Sequence, residues 1–542
     1  MPHLMRSPKM LAATEHLLPP DDGLFRMPSA FGSDPSCFHS TTSTTAGDPQ
    51  MPVTTDLDVD DRETCALPRD DVRVESLTEA APWGLVLNTI LYMASPMSMP
   101  ATFAQAGWTW GSIYLVYSSI ITYHTGLLLG DICQRMPHLG SFPSIAAHCG
   151  GKAVMWAVIT MQFLTFWIDS SAQMLYCAQY LGQLLPSWHL CQSDWLLVVA
   201  AATLPLMQIP TYQESRWFAL PTFGVLVLIL AVFFYEAILV APWQCAGEQL
   251  TQRPSYPQPS PQNILLSGST FAYAFGGHGM FPEEIRELRD KTQWNRVVMP
   301  WTYAIIVPMY MSTSVLGFYV WGGSQSGANA NINVNFPPNT ANTVSIVVQF
   351  LLTYYLIFFT SLCLALNLEI ALGIDPRLYC APKEPLERAY TDGSTISTHQ
   401  PLWMKPACSC CNRVPPVVAR GVLRSLLLAS QLGLCQMLLG GEADTLLSLQ
   451  SLSGAIGMVA FTYCLPFFFH WKLFPAEVGK VRAVWYGVNG TIGIGIMATG
   501  VYVAMFDLVD SSFTIGGAVC DIVNDDGDYF RGCPRYVNGS AR

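Results

Sequence analysis

The stretch FGGHGMFP at residues 275–282 places three glycines and a proline inside an apolar segment that extends from about residue 264 to 281. A second stretch, SPMSMP at residues 95–100, places two prolines within the first apolar segment of the chain, near 81–106. Proline removes a backbone donor and clashes with the preceding helical turn, and glycine weakens a helix interior. We therefore predict that both helices are interrupted in mid-span.

These two segments are the first and sixth of eleven apolar segments. A helix needs about 20 apolar residues to cross the hydrocarbon core, and only 12% of this chain is charged, against about 25% in soluble domains. We predict an all-α polytopic membrane protein with 11 transmembrane helices. Because the interruptions lie five segments apart, we also predict a 5+5 inverted repeat with broken helices 1 and 6. The other nine segments lie near 111–130, 154–185, 195–210, 217–241, 297–321, 343–373, 422–440, 447–470 and 483–506.

The distribution of charge predicts the orientation and the domain boundaries. With a cytoplasmic N-terminus, the inner loops hold seventeen Lys and Arg residues and the outer loops hold only Arg253, a strong positive-inside signal. Residues 1–80 hold six Lys and Arg against fourteen Asp and Glu, which is typical of a disordered acidic tail. We predict a cytoplasmic tail over 1–80, a transmembrane domain over 81–506 and an outer C-terminal tail over 507–542.

The two interruptions predict a binding site. Backbone without helical hydrogen bonds is tolerated at membrane depth only where it is buried in protein or lines a cavity, and the N-terminus of a half-helix offers N–H groups to an anion. Two ordinary kinks remain the alternative, since Gly and Pro are common in membrane helices. The predicted substrate-binding residues are Ala94, Ser95, Ser98, Phe275, Gly276, Gly277 and His278.

The stretch STFAYAFGGHGMFPEEI at 269–285 resembles the signature of the amino acid/auxin permease family. PATFAQAGW at 100–108 is similar to the end of that family's first helix, and Ser453-Gly454, Tyr463 and Leu465-Pro466 are similar to its tenth. The resemblance covers roughly 80–507. It implies a leucine-transporter-like fold and cation-coupled transport of amino acids or related acids. Met93 and Ser95 stand where members usually have glycine, which implies a crowded site, and the paired glycines before His278 are similar to the auxin-importing branch.

Polar residues inside the predicted spans are candidates for coupling transport to a cation. Asp169 lies on a polar stripe of the third segment and is costly to bury in a membrane, which favours a functional role over a structural carboxyl. His278 could exchange a proton, or could simply cap freed backbone. Thr360 and Ser361 stand where sodium-coupled relatives place hydroxyl ligands together with first-helix carbonyls, although such residues also join membrane helices. The sequence does not choose between H+ and Na+.

Cysteines, a glycosylation sequon and charged residues outside the predicted pocket give further predictions. Cys191 and Cys245 are the only cysteines of the outer loops and are a possible disulfide. Asn538 lies in a possible glycosylation sequon in the outer tail. We expect Glu369 to reach the membrane interface, Arg424 to snorkel there, and the mixed-charge stretch 283–290 to form a solvated extension or an inner latch of ion pairs.

We predict a secondary transporter of amino acids, or of a related small carboxylate, coupled to H+ or Na+. An indole-carboxylate importer and a non-transporting amino acid sensor are the alternatives. Neither a nucleophile–base spacing nor a metal-ligand spacing suggests an enzyme, and we expect no cofactor, no resident metal and no nucleic-acid partner. The expected partners are the solute and the lipid bilayer, in the plasma membrane or a vacuolar or endosomal membrane.

Overall fold

The computed structural model describes residues 81–188, 190–208, 216–240, 256–322, 330–336, 339–372, 416–438 and 444–510. These residues form α-helices joined by short 3-10 and π turns. The predicted tail over 1–80 lies outside the described residues, as do residues 511–542 of the predicted tail over 507–542. Residues 507–510 are helical, and the assignment of both tails stays a prediction. The α-helices are α1 (Pro82–Met93), α2 (Met99–Arg135), α3 (Phe142–Leu184), α4 (Gln192–Leu206), α5 (Arg216–Tyr235), α6 (Pro261–Ala274), α7 (Phe281–Glu287), α8 (Met299–Trp321), α9 (Thr340–Leu372), α10 (Pro416–Leu438), α11 (Asp444–Ser453), α12 (Leu465–Leu473) and α13 (Lys480–Asp510).

Eight helical stretches are long and apolar enough to cross a membrane: Met99–Arg135, Phe142–Leu184, Leu220–Leu239, Trp294–Trp321, Thr340–Glu369, Val418–Leu438, Leu446–Leu473 and Lys480–Phe506. The remaining three predicted segments correspond to shorter or interrupted helices, namely α1 with the start of α2, α4, and α6 with α7. The polytopic all-helical class is therefore confirmed. The count of eleven spans and the inverted repeat stay predictions.

Both predicted interruptions are present in the backbone. Helix α1 ends at Met93, and α2 begins six residues later at Met99, directly before Pro100. Helix α6 ends at Ala274, and a 3-10 turn over His278–Met280 leads into α7, whose second residue is Pro282. The two breaks therefore lie where the Pro and Gly residues predicted them.

A third change of direction divides α2. Gly107 has a φ of 66° and a ψ of 178°, a conformation that favours glycine. A Cβ atom here would also lie 3.2 Å from the Pro259 ring. The helix therefore bends between the end of the first predicted segment, near 106, and the start of the second, near 111.

Close polar contacts hold α6 and α11 together. The Ser269 and Ser451 hydroxyls lie 2.5 Å apart, and Ser451 also donates to the Leu266 carbonyl at 3.1 Å. Small hydroxyl residues of this kind let membrane helices approach closely and bind across the interface. They fix α6, and with it the position of the second break.

A buried ion-pair cluster joins α9, α10 and the end of α4. Glu369 is fully buried; Arg424 Nε donates to Glu369 Oε1 at 2.6 Å, and Arg420 Nε donates to Oε2 at 3.2 Å. Arg424 also donates to the Met207 carbonyl and is 1% exposed. The predictions that Glu369 reaches the interface and that Arg424 snorkels are therefore wrong. A buried carboxylate and a guanidinium satisfy each other here instead of each seeking water.

Candidate transport site

The two helix breaks meet at one side chain. Tyr310, in the middle of α8, is fully buried, and its hydroxyl donates to the carbonyl oxygens of Met93 and Ala274, the latter at 2.9 Å. The same oxygen accepts the Ser95 N–H at 3.0 Å. Because a hydroxyl carries one hydrogen, it can fully satisfy only one of the two carbonyls at a time. The ends of α1 and α6 are thus joined, with one carbonyl left able to accept another donor.

The first break presents two hydroxyls next to the N-terminus of α2. Ser95 Oγ and Ser98 Oγ lie 2.8 Å apart, and Ser98 Oγ also donates to the Ser95 carbonyl at 3.2 Å. Ser98 is 5% exposed, while Ser95 is half-buried. Ala94, between Ser95 and the end of α1, is buried and donates its N–H to the Leu91 carbonyl at 3.2 Å. The hydroxyl pair therefore lies where the positive end of the α2 dipole is found.

The second break lies directly against the first. A Cβ atom on Gly277 would lie 2.6 Å from the Tyr92 ring and 3.0 Å from Met93 Cγ, so only glycine permits this approach. On Gly276 it would lie 2.8 Å from Met458 Sδ. The Phe275 ring packs edge-on against Tyr310, with centroids 5.0 Å apart. The side chains of Tyr92 and Met93 therefore occupy the space beside Gly277, and Met458 occupies the space beside Gly276.

His278 is turned towards α2. Its Nε2 lies 2.8 Å from the Thr122 carbonyl and 3.1 Å from the Thr125 hydroxyl, and the side chain is fully buried. A carbonyl only accepts, so Nε2 carries the hydrogen. Among the described residues Nδ1 has no hydrogen-bond partner. The imidazole thus bonds to a carbonyl inside α2, and both interpretations drawn from the sequence, proton exchange and capping of freed backbone, stay predictions.

The polar stripe of α3 faces the second break and α6. Gln162 Nε2 donates to the Gly279 carbonyl at 2.9 Å. Asp169 is 6% exposed and accepts the Tyr273 hydroxyl, one residue before α6 ends, and Gln173 Nε2 donates to the same hydroxyl at 3.1 Å. Asp169 is thereby connected to the junction through α6.

Thr360 and Ser361 lie at the contact of α9 with α3 and α10. The Thr360 hydroxyl is 2.7 Å from Ser170 Oγ, and Ser361 Oγ donates to Ser170 at 3.1 Å and to Gln431 Oε1 at 3.3 Å. The two hydroxyls therefore contact side chains of α3 and α10, and the Thr360 hydroxyl also donates to the Leu356 carbonyl of its own helix at 2.8 Å. Both hydroxyls are buried, as expected for residues that join membrane helices.

The remaining predicted sites fall partly outside the described residues. Cys191 is in a disulfide bond, and its predicted partner Cys245 lies outside the described part of the chain. Asn538 lies outside it too. No group of three His, Cys, Asp or Glu side chains able to hold a metal ion occurs in the described ranges.

Sequence reasoning missed Tyr310, Tyr273 and Glu284. Tyr310 carried one weak signal, since Tyr is enriched at membrane interfaces and this residue lies in mid-span. Glu284 is 7% exposed and is hydrogen-bonded to α1. The interpretation of 283–290 as a solvated extension is therefore wrong at this residue.

Comparison with known proteins gives the family. The family model of the transmembrane amino acid transporter proteins matches residues 83–506. Three amino acid transporters of Arabidopsis thaliana are similar to the chain. AVT1E is 22% identical over 266 residues, 47% of this chain and 48% of that protein. AVT1B is 21% identical over 262 residues, 46% of each chain, and AVT1H is 22% identical over 253, 46% of this chain and 56% of that protein.

The chain thus spans about half the length of the curated relatives it matches, whereas the family model covers most of the chain. The match confirms the family resemblance drawn from the sequence. It also confirms the prediction that the chain is not an enzyme, because the family consists of transporters. With its apolar helices, the chain belongs to the transmembrane amino acid transporter family of integral membrane proteins.

Proposed function

We propose that the chain is a secondary active transporter that moves amino acids across a membrane by alternating access. The observation that carries this proposal is the junction at Tyr310, where one hydroxyl contacts the broken ends of both α1 and α6. Interrupted helices at corresponding places in two halves are where transporters bind solute. The family match and the names of the three relatives favour amino acids over an indole carboxylate.

The junction offers complementary groups for the two ends of an amino acid. The Ser95 and Ser98 hydroxyls beside the α2 N-terminus suit a carboxylate. The Met93 and Ala274 carbonyls share one hydroxyl proton, so one of them can accept from an ammonium group. Asp169, bonded to Tyr273, adds negative charge near the same end. We propose that the solute lies between these groups, contacting Ala94, Phe275, Gly276, Gly277 and His278.

The packing at Gly277 limits the size of the solute. Met93 is 2% exposed and lies with Tyr92 against Gly277. A large side chain would have to displace Met93, a flexible residue that can repack. We therefore propose a preference for small neutral amino acids in the occluded state.

The proposed coupling residues are Asp169, His278, Thr360 and Ser361, with H+ or Na+ as the coupling cation. The hydroxyls of Thr360 and Ser361 have protein partners, whereas the Asp169 carboxylate is held by neutral donors next to the second break. This contrast supports H+. The plasma membrane and a vacuolar or endosomal membrane are both compatible with the proposal.

Uptake into proteoliposomes tests the function. The purified full chain is assayed with radiolabelled alanine, leucine, lysine and indole-3-acetic acid, under a pH gradient and a sodium gradient imposed separately. We expect saturable uptake of neutral amino acids under the pH gradient. Absence of flux for all four solutes under both gradients would contradict the proposal. Solute-dependent thermal stabilisation without flux would instead identify a sensor.

A further inference from the structure

A buried carboxylate connects the inner halves of the two broken helices. Glu284, on α7, contacts three polar side chains on consecutive turns of α1. Asn88 Nδ2 donates to Oε1 at 2.6 Å, and the Tyr92 hydroxyl donates to Oε2 at 2.8 Å. The Thr89 hydroxyl lies 3.1 Å from Oε2 and shares its one hydrogen with the Leu85 carbonyl, which is 2.7 Å away. We name this group the α1–α7 clasp. It joins two helical segments that are each separated from the rest of their helix by a break.

The α1 side of the clasp is supported by α9. The Tyr92 ring stacks on Phe359 with centroids 5.9 Å apart and planes 6° apart, and the Tyr355 hydroxyl donates to Asn88 Oδ1 at 3.5 Å. The amide of Asn88 is thereby oriented with its Nδ2 towards Glu284. Asn88 and Tyr92 are thus held in place by side chains of α9, and Tyr92 also packs against Gly277 in the second break. A movement of Tyr92 in the clasp would therefore change the packing at Gly277, which is part of the proposed solute site.

The donors of the clasp are electrically neutral. Glu284 takes part in none of the ion pairs found among the described residues. The titratable and charged groups around it are Tyr92 on α1, Tyr355 on α9, and Glu283, Arg286 and Glu287 on its own helix; Arg286 is exposed. A buried carboxylate without a cation relies on its hydrogen bonds to remain charged. Because charge-assisted bonds are about twice as strong as neutral ones, adding a proton weakens the clasp.

We propose that Glu284 is a proton-binding residue of the transport cycle, and that its protonation releases α1 from α7 on the inner side of the carrier. This inference rests on the proposed function and names H+ as the coupling ion. The ionised carboxylate holds α1 and α7 together. The protonated carboxyl holds them less tightly, so that α1 can move and the solute site can open.

Glu284→Gln tests the proposal, because glutamine keeps the shape and the acceptor but cannot exchange a proton. We expect loss of accumulation driven by a pH gradient, together with retained exchange of labelled for unlabelled solute at equal pH. Asp290→Asn, which removes an exposed carboxylate shortly after the end of α7, is the control and should accumulate solute as the unmodified chain does. Accumulation by Glu284→Gln at the unmodified level would overturn the proposal.

A second variant covers the case in which Glu284→Gln does not fold. Tyr92→Phe removes one donor and leaves the carboxyl in place. Since that donor stabilises the charged form, we expect the pH of half-maximal uptake to rise by about one unit. An unchanged pH profile would overturn the proposal. If the unmodified chain transports with sodium and is insensitive to pH, this inference fails while the transport function stands; if it transports nothing, the proposed function itself fails.

Discussion

Two buried carboxylates in this molecule have opposite surroundings. Glu369 lies against Arg424 and Arg420, so its charge is matched by two guanidinium groups. Glu284 lies against Asn88, Thr89 and Tyr92, which carry no charge. The first cluster joins α9 and α10, which are continuous helices, and the second joins the short pieces of two broken ones. The comparison indicates that fixed charge stabilises the scaffold, while a neutral-partnered carboxyl can respond to protons.

The largest expected effect comes from breaking the scaffold cluster. Arg424→Gln leaves Glu369 buried with Arg420 as its one remaining cation among the described residues, and breaking a buried ion pair costs about 3–5 kcal/mol. We expect a markedly lower melting temperature of the detergent-purified protein, at any pH near neutrality. The control is Arg413→Gln, an arginine of the predicted inner loops outside the described residues. A melting temperature equal to that of the unmodified protein would show that the cluster contributes little to stability.

The next effect is expected at the junction itself. Tyr310→Phe keeps the ring against Phe275 and removes the hydroxyl that meets Met93, Ala274 and Ser95. A lost hydrogen bond of this kind costs about 1 kcal/mol, which corresponds to several-fold slower uptake if it acts on transport. Uptake rates should fall while the melting temperature changes little. The control is Tyr319→Phe, on the same helix, because Tyr319 is 64% exposed and its variant should transport normally. Equal uptake by the two variants would show that the Tyr310 hydroxyl has no role in transport.

A smaller effect is expected at His278. His278→Ala removes the donor to the Thr122 carbonyl between the second break and α2. We expect lower uptake with unchanged surface expression, measured by surface labelling alongside transport. His124→Ala is the control, because His124 is half-buried and accepts from Trp485 at 3.3 Å, away from the junction. Normal uptake by His278→Ala at all pH values would exclude His278 from the mechanism.

The smallest effect is expected for an exposed ion pair. Arg135 Nη1 donates to Glu477 Oε1 at 2.5 Å in the turn between α12 and α13, and this bond holds the pKa of the Glu477 carboxyl below its ordinary value. A depressed pKa means that any stabilisation is present at neutral pH and is lost on acidification through that pKa. Glu477→Gln should nevertheless leave the melting temperature at pH 7 unchanged, since solvent screens exposed pairs. A large decrease in the melting temperature would show that this exposed ion pair stabilises the protein as much as a buried one, which contradicts the comparison.

The breaks were predictable and the contacts between them were not. Pro96, Pro100, Pro282 and the glycines at 276, 277 and 279 act on their own backbone, so local sequence is sufficient to place the interruptions. Tyr310 lies 36 residues beyond Ala274 and more than 200 beyond Met93, and only packing brings the three together.

The surroundings of the charged residues were likewise not predictable from the sequence. Lone Arg and Glu residues near predicted helix ends suggest snorkelling, because the sequence does not reveal that Glu369 and Arg424 face each other. Likewise, the mixture of signs at 283–290 suggests a solvated surface, while the period of α7 turns Glu284 inward onto α1. Which carboxyl is buried depends on the partner helix, and the partner is a property of the fold.

The most direct test of the account is solute accumulation in proteoliposomes under an inward pH gradient, compared between the unmodified chain and Tyr310→Phe. The account predicts saturable, gradient-driven accumulation of neutral amino acids by the unmodified chain and a several-fold lower rate for the variant at equal protein density. Equal rates, or no accumulation of any amino acid by either protein, would contradict the claim that the junction of the two broken helices is a transport site.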